Sequence, residues 1–249
     1  KLKLNDAALD FELESKDALG RGFRCGFLGS LHAEITAERL KREFSLNLII
    51  STPSVEYSVK LKNGEEVKIR SAAFLPDPSR IESIAEPIVN LEIISPSSYL
   101  GSIMDLVSHF RNTYISTGYL GKDTVILKYK VPLAEIVTDF YDKLKSVSSG
   151  YASMSYELVG TQVGDLVRLD ILLADDLVEP FSRIIPREKA NYEGREMVVK
   201  LKNIVPPQWF QVAIQAAIGG KIIARETIRA RRKDVTGYLY GGDITRKKK

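Results

Sequence analysis

The sequence predicts an α+β fold made of several small units, and three patterns lead to that prediction. Short runs of alternating apolar and polar residues are interleaved with longer runs whose apolar residues recur every three or four positions, as in half-buried strands and amphipathic helices. Residues 87–159 show these patterns in the order strand–helix–strand–strand–helix–strand. The 249 residues suffice for two or three compact units, so we expect small domains in series.

The first predicted unit begins with a strand at residues 23–27 and a helix at residues 31–44. Within that helix, Arg39 and Glu43 lie one turn apart and are placed to form an ion pair. A second strand is predicted at residues 46–51. The unit therefore combines both kinds of secondary structure from its start.

A β-hairpin completes this unit. Two alternating runs, residues 54–59 and 66–70, flank Lys62-Asn63-Gly64-Glu65, and Asn-Gly between such runs favours a hairpin turn. Leu75-Pro76-Asp77-Pro78 then predicts an extended linker, because proline disfavours helical conformation in the residue before it. We therefore place the first domain at residues 1–80.

The second predicted domain, residues 81–163, has the most regular pattern in the chain. Its strands are predicted at residues 87–95, 113–119, 124–131 and 151–159, and its helices at residues 99–112 and 133–147. This order is that of a ferredoxin-like domain. Two helices on one face of a four-stranded sheet leave the other face open, and many RNA-binding modules use that face. The fold alone does not determine the function, because many unrelated proteins share it.

The third predicted domain covers residues 164–249. It contains a strand at residues 166–173, a helix at residues 186–205 and a strand or buried segment at residues 211–218. Arg225, Arg229 and Arg232 then follow at steps of four and three. That spacing predicts a basic helix over residues 222–233 with these arginines on one face, and Lys221 lies one turn earlier.

The positive charge of the chain is concentrated at its C-terminal end. Net charge is +4, but residues 221–249 contain ten Lys or Arg against three acids, so this segment carries +7 and the remainder −3. A polyanion is the natural partner of such a segment, since each cation placed on a phosphate releases condensed counterions. The alternative is a solvated tail that only increases solubility.

Enzyme motifs are absent from the sequence. Gly219-Gly220-Lys221 is followed by Ile222 and lacks both the spacing and the hydroxyl of a phosphate-binding loop. The two histidines, His32 and His109, lie in separate predicted helices, which favours structural roles over a metal site. Gly20-Arg21-Gly22-Phe23-Arg24 is faintly similar to the phosphate cradle of acylphosphatases, but it lacks the Gln-Gly-Val sequence that precedes the aromatic-Arg pair there. We therefore interpret the chain as a binding protein without its own cofactor.

Several long motifs occur in a fixed order along almost the whole chain. They include Ala-Leu-Gly-Arg-Gly-Phe-Arg-Cys-Gly-Phe-Leu-Gly at residues 18–29, Gly-Tyr-Ala-Ser at residues 150–153 and Tyr-Gly-Gly-Asp-Ile-Thr-Arg-Lys-Lys-Lys at residues 240–249. Together they resemble the LepA family, also called elongation factor four, whose members are translational GTPases similar to elongation factor G. The sequence departs from the family pattern at Trp209, where a smaller apolar residue is usual.

The resemblance implies the nature of each predicted domain. Residues 1–80 resemble domain III of elongation factor G, residues 81–163 resemble its domain V, and residues 164–249 resemble the LepA-specific C-terminal domain. The expected architecture is thus two small ferredoxin-like α/β sandwich domains followed by a LepA-type α+β C-terminal domain. In the family the GTPase domain lies upstream, so GTP and Mg²⁺ are implied for the intact protein and not for this chain, which should be inactive alone.

The resemblance also implies a function and partners. The chain would be the ribosome-binding part of a factor credited with ribosome-dependent GTP hydrolysis and with back-translocation or remodelling of stalled ribosomes. Implied partners of this monomer are the ribosome, with its RNA and proteins, and transfer RNA. The implied location is the cytoplasm, with weak peripheral binding to the inner face of the cell membrane as an alternative, or the mitochondrial matrix in a eukaryote. A structural brace for the GTPase domain and a stand-alone RNA-binding module are alternative functions.

The candidate RNA-binding residues are all cations. Guanidinium groups bind phosphate through two hydrogen bonds and stack on exposed bases. The candidates in the C-terminal segment are Lys221, Arg225, Arg229, Arg231, Arg232, Lys233, Arg246, Lys247, Lys248 and Lys249. Arg21 and Arg24 are further candidates, although their glycine-rich loop favours close packing over ribosome contact.

Overall fold

A computed structural model describes residues 2–16, 20–28, 30–50 and 55–231 of the chain. These residues form helices and antiparallel sheets. The predicted α+β fold class is confirmed. The chain divides into two compact units, Lys1–Thr52 and Pro53–Lys249. The first unit contains α1 (Leu2–Asn5), β1 (Asp10–Lys16), β2 (Gly20–Gly26) and α2 (Ser30–Phe44).

In the first unit, β1 and β2 form an antiparallel hairpin, and α2 follows it. The predicted ion pair in α2 is confirmed, with Arg39 Nε 2.8 Å from Glu43 Oε1. The strand predicted at residues 46–51 is wrong: residues 46–50 belong to no helix or strand, and residue 51 lies outside the described residues. Ser45 ends α2 in a left-handed conformation, with φ of 53°. No described strand pairs with the segment that follows.

The second unit contains a six-stranded antiparallel sheet. Its strands are β3 (Tyr57–Leu61), β4 (Glu66–Ile69), β5 (Ile81–Pro96), β6 (Thr113–Leu120), β7 (Thr124–Pro132) and β8 (Ser153–Gly164). The hydrogen-bonded order is β4-β3-β5-β7-β6, with β8 also pairing with β5. Strands β8, β5, β7 and β6 therefore have the antiparallel order of a ferredoxin-like sheet, as predicted.

The long central strand β5 joins the predicted hairpin to this sheet. The hairpin is confirmed, with Gly64 in its turn at φ of 86°. Strand β5 was predicted to begin at Pro87, but it begins at Ile81, and its first part pairs with β3. The hairpin thus joins the sheet at the first part of its central strand. Local periodicity does not reveal this pairing between separate segments.

Three helical segments cover one face of this sheet. They are α3 (Leu100–Ser108), α4 (Leu133–Ile136) and α5 (Phe140–Val147). Ile103, Val107, Phe140 and Leu144 pack with the buried side chains of β5, which confirms that both predicted helices lie on the same face. The helix predicted at residues 133–147 is interrupted, however. Val137, directly after α4, packs in a second cluster with Tyr57 and Val59, whereas Ile136 of α4 and Phe140 of α5 both pack in the first.

The last part of the second unit is a helix on a five-stranded sheet. Its elements are β9 (Leu166–Leu173), β10 (Asp176–Leu177), β11 (Arg183–Pro186), α6 (Arg187–Ile204), β12 (Val212–Ile218) and β13 (Lys221–Ile228). The sheet order is β10-β9-β12-β13, and β11 also pairs with β9. Helix α6 buries Ala190, Gly194, Val198 and Leu201, which recur at helical spacing along one face.

The basic helix predicted at residues 222–233 is wrong, because Lys221–Ile228 forms strand β13. Gly219 and Gly220 lie between β12 and β13 with φ of 55° and 81°. Two consecutive residues with positive φ form the tight turn that joins twisted antiparallel strands. This turn directs the chain back along β12. Residues 232 and 233 lie outside the described residues.

Candidate RNA-binding edge of the C-terminal sheet

Strand β13 is the edge strand of its sheet and pairs only with β12 within the described residues. Lys221, Arg225, Arg229 and Arg231 lie on this strand or directly after it, and all four are exposed. We call these four residues the basic edge. Among the residues that the structure describes, no carboxylate forms an ion pair with any of them. Their charges are therefore available to a ligand.

A β-bulge determines which of these cations share a face. Arg225 lies in β13 and Arg229 follows it by four residues, directly after the strand; a chain that stays extended there carries both on the same side, about 13 Å apart. A register shift separates the pairs Ala216↔Ala224 and Ala217↔Ile222 and leaves Ile223 without a partner. Because one extra residue reverses the alternation, Lys221 projects to the opposite side. The predicted single face of cations is thus corrected to a pair of arginines with one lysine on the reverse side.

Glu226 is the one acidic residue of β13, and contacts on the α6 side of the strand explain why it does not neutralise the cations of the basic edge. Ile223 and Ala224 pack against the cluster beneath α6. Glu226 accepts a hydrogen bond of 2.6 Å from Lys202 Nζ of α6, and this contact lowers the pKa of Glu226. Glu226 is therefore neutralised from the helix side. The opposite side, which carries Arg225 and Arg229, remains positive.

Arg231 lies against an aromatic ring. Its guanidinium is 5.6 Å from the ring centroid of Trp209, within the range of cation–π attraction. Its backbone N–H donates to the carbonyl of Gln208 at 2.6 Å. These contacts hold the segment after β13 beside the loop that connects α6 to β12.

Shallow depressions adjoin the basic edge. One of about 440 Å³ is lined by Arg225 and Arg229 together with Lys202, Gln211, Glu226 and Thr227. Another of about 510 Å³ lies between the end of α6 and Thr227–Arg229. Both are open grooves, a shape that suits an extended polyanion better than an enclosed small molecule.

The two candidate cations of the first unit do not form a similar group. Arg21 and Arg24 were predicted to lie in a glycine-rich loop, but both belong to strand β2. They are three residues apart, so they project to opposite faces of the hairpin. Arg21 is exposed and Arg24 is half-buried.

The remaining candidates are Arg232, Lys233, Arg246, Lys247, Lys248 and Lys249, which lie outside the described residues. Their role in RNA binding stays a prediction from the sequence. They follow Arg231 along the chain and add to the positive charge of the same terminal segment.

The open face of the ferredoxin-like sheet has mixed charge. Lys128 Nζ lies 2.9 Å from Glu92 Oε2 across neighbouring strands. Exposed Lys130 and exposed Glu157 both lie beside Asn90 in the sheet register. Cations and acids alternate here, so this face attracts a polyanion less than the basic edge does.

A buried ion network is the feature that sequence reasoning missed. Arg111 donates to Glu86 through Nη1 and Nη2 at 2.5 and 2.8 Å, and through Nε to Glu135 of α4 at 2.7 Å. Lys189 of α6 donates to the same Glu135 at 3.0 and 3.1 Å. We call Glu86, Arg111, Glu135 and Lys189 the buried ion network. It connects the ferredoxin-like sheet to α6 and so fixes the helix beneath the basic edge.

The network changes the ionisation of nearby groups. Burial alone would lower the pKa of Arg111, but its hydrogen bonds to Glu86 and Glu135 outweigh this effect and raise it. Burial, and secondarily the charge of Glu86, raises the pKa of Tyr57 to about 12. The Tyr57 hydroxyl is 3.4 Å from the carbonyl oxygen of Ile184. Near neutral pH Arg111 is therefore charged and Tyr57 is neutral, which suits a structural role.

The structure also describes the glycines and the histidines that the sequence analysis considered for nucleotide or metal binding. No group of three or more His, Cys, Asp or Glu side chains that could hold a metal ion occurs among them. Gly219 and Gly220 form the β12–β13 turn. His32 is occupied structurally, since its Nδ1 accepts from the backbone N–H of Leu28 at 3.1 Å and its Nε2 lies 2.8 Å from Asp6 Oδ2.

Comparisons with known proteins give a consistent assignment. Residues 83–172 match the family model described as elongation factor G C-terminus, and residues 173–249 match the one described as GTP-binding protein LepA C-terminus. The elongation factor 4 of one Thermus thermophilus strain is 56% identical over 251 residues, covering 100% of this chain. That of Clostridium novyi is 51% identical over 249 residues, again covering the whole chain. The chain belongs to the elongation factor 4, or LepA, family.

Within this family the chain corresponds to the C-terminal part. It spans 41% of the length of both relatives. A crystal structure of another Thermus thermophilus protein is similar at 14% identity, with a TM-score of 0.44 over 61% of this chain and 36% of that one, which is too distant to add to the assignment. None of the described helices is long and apolar enough to cross a membrane.

Proposed function

We propose that this part of an elongation factor 4 binds the ribosome, and that the basic edge contacts ribosomal RNA or transfer RNA. The observation that carries the proposal is the exposure of four cations without ion-pair partners among the described residues. They lie on or directly after a strand whose one acid is neutralised by Lys202. Phosphate contacts by such cations give affinity that depends little on sequence but strongly on salt. Membership of an elongation factor family supports the ribosome as the partner that carries the RNA.

For the intact protein we propose the function that is typical of the family. We place the intact protein in the cytoplasm as a monomeric, ribosome-dependent GTPase that remodels stalled ribosomes, with GTP and Mg²⁺ bound upstream of the present residues. Domains at residues 1–80, 81–163 and 164–249 remain part of this proposal. In it, the first two resemble domains III and V of elongation factor G, and the last is the LepA-specific domain.

Three alternatives make different predictions. A structural brace for the GTPase domain needs no affinity for RNA, so the exposed arginines would be solvated surface residues. A peripheral membrane protein would use the same cations on anionic lipid headgroups. A stand-alone RNA-binding module would bind RNA without preference for the assembled ribosome.

Co-sedimentation separates these possibilities. The chain is mixed with 70S ribosomes, with an unrelated duplex RNA, or with vesicles of phosphatidylcholine containing phosphatidylserine, and the pelleted fraction is measured. We expect it to pellet with ribosomes at lower concentration than with duplex RNA or vesicles. The Lys221→Gln/Arg225→Gln/Arg229→Gln/Arg231→Gln variant should pellet far less with ribosomes. Equal pelleting of this variant and the wild type would contradict the proposal, as would a preference for vesicles.

A further inference from the structure

Trp209 lies in the loop between α6 and β12, and it is the one tryptophan of the chain. Its side chain remains 52% exposed. Pro206 and Pro207 precede it and restrict the conformations of the loop. A large aromatic ring is thus presented to solvent on a stiff segment, instead of being buried in the cluster beneath α6.

Arg231 and Trp209 together form an exposed surface that carries an aromatic ring and a positive charge. The Arg231 guanidinium lies 5.6 Å from the Trp209 ring centroid, and its backbone is tied to Gln208 by a hydrogen bond of 2.6 Å. An arginine held in this way covers part of the ring and leaves its planar group available for further stacking. The exposed remainder of the indole is accessible to another planar group.

A further cation, Arg229, and a groove lie close to this surface in the chain. Arg229 precedes Arg231 by two residues, is exposed, and has no carboxylate partner among the described residues. The groove of about 510 Å³ beside Arg229 is lined by Pro206 and Pro207 of the same loop. A strand of nucleic acid lying in this groove would therefore pass directly from cations to the exposed aromatic ring.

We propose that Trp209 and Arg231 form a stacking site for an unpaired nucleobase of RNA, with Arg229 on the adjoining phosphate. The inference rests on the proposed RNA-binding function and adds that the ligand is single-stranded at this point. Bases within a duplex are already stacked on their neighbours, whereas an unpaired base gains affinity from an aromatic side chain. The site would accept any of the four bases, because each presents a planar face.

Intrinsic fluorescence tests this site directly, because all tryptophan emission of the chain comes from Trp209. The full chain is titrated with a fluorescein-labelled decaadenylate RNA, and binding is followed by anisotropy. A parallel titration with unlabelled decaadenylate follows tryptophan emission. We expect emission to be quenched with the same dissociation constant that anisotropy gives. An abasic ribose-phosphate oligomer of equal length should bind through its phosphates without quenching.

Variants provide the second readout. Trp209→Leu should weaken decaadenylate binding by roughly 5- to 10-fold, as expected for loss of one stacked base, and should leave binding of a duplex RNA unchanged. Tyr192→Leu is the matched control, because Tyr192 is an aromatic residue of α6 that is 73% exposed. It should change neither affinity. Circular dichroism verifies that both variants are folded.

Two results would overturn the inference in distinguishable ways. RNA binding with unchanged tryptophan emission and unchanged affinity of Trp209→Leu would exclude the stacking site and leave the proposed function intact. Failure of the chain to bind any RNA by anisotropy would exclude both the site and the proposed function.

Discussion

Arg111 lies between α3 and β6, and Arg225 lies in the edge strand β13, and the surroundings of these two arginines differ completely. Arg111 is largely buried, and its guanidinium is hydrogen-bonded to Glu86 and Glu135. Arg225 is exposed on an edge strand and has no acidic partner among the described residues. A buried charge needs a partner because it has lost its hydration, whereas an exposed charge keeps water until a ligand displaces it. The same residue type therefore holds the fold together in one region and remains available for binding in the other.

The largest predicted effect comes from breaking the buried ion network. Arg111→Met leaves the buried Glu86 without a cationic partner, whereas Glu135 keeps Lys189, and removing one partner of a buried ion pair typically costs about 3–5 kcal/mol of stability. Urea unfolding followed by circular dichroism measures the loss. Adding Glu86→Gln to this variant should restore part of the stability, since it removes the carboxylate charge that lost its partner.

An exposed ion pair provides the control for this experiment. Lys60 Nζ is 2.9 Å from Glu82 Oε1, and both side chains are about half exposed. Lys60→Met should cost about 0–1 kcal/mol. Equal losses for Arg111→Met and Lys60→Met would show that the network does not stabilise the fold as a buried group.

A smaller effect is expected where α6 supports the basic edge. A Cβ atom on Gly194 would lie 3.0 Å from Ile223 Cδ1 and 3.2 Å from Ala216 Cβ, closer than atoms normally pack. Gly194→Val should therefore destabilise the protein by about 1–3 kcal/mol through overpacking and weaken ribosome binding through displacement of β13. Gly101 of α3 has no atom within 4 Å of its Cβ position. Gly101→Val should leave stability almost unchanged, and a loss as large as that of Gly194→Val would contradict the packing explanation.

The smallest predicted effect concerns alkaline pH. The pKa of Tyr57 is raised from 10.0 to about 12 in the folded protein, so between these values the unfolded chain loses its phenolic proton first. Stability conferred by the neutral phenol is thus complete below pH 10 and declines as the pH rises towards 12. At pH 11 the wild type should lose about 1.4 kcal/mol relative to Tyr57→Phe, compared with their difference at pH 8. Urea unfolding at both pH values measures this, and an unchanged difference would mean that Tyr57 titrates normally.

The sequence predicted the helices and strands that depend on a local pattern of residues. It did not predict the features that depend on contacts between residues far apart in the chain. Strand β9 was predicted at residues 166–173 and helix α6 at residues 186–205, and the structure places them at Leu166–Leu173 and Arg187–Ile204. Alternation and helical spacing are properties of a single segment, so periodicity was sufficient. The buried ion network could not be predicted in the same way. Its Glu135–Lys189 contact joins residues 54 positions apart, and only the packing of α6 brings them together.

Two sequence patterns overlap at the basic edge, and they predict different secondary structures. Arginines at steps of three and four suggested a helix, but Gly219-Gly220 lies between two apolar runs and is itself a hairpin signal. Giving that turn priority would have predicted β13. The β-bulge at Ile223 would still have been missed, because it depends on the register with β12 and on contacts with α6. The candidate residues that the structure describes on β13 and directly after it are exposed, but their predicted helical arrangement was wrong, and their binding of RNA stays a prediction.

The most direct test measures how ribosome affinity depends on salt concentration. It asks whether the position of the cations, and not their number, makes the basic edge a binding surface. Arg225→Gln/Arg229→Gln is compared with Lys60→Gln/Lys68→Gln, which removes the same charge from two exposed lysines that pair with Glu82 and Glu56. The arginine variant should reduce the slope of log K against log salt concentration by roughly 1.4–1.8, from two lost phosphate contacts, and the lysine variant should retain the wild-type slope. Equal slopes for both variants would contradict the account.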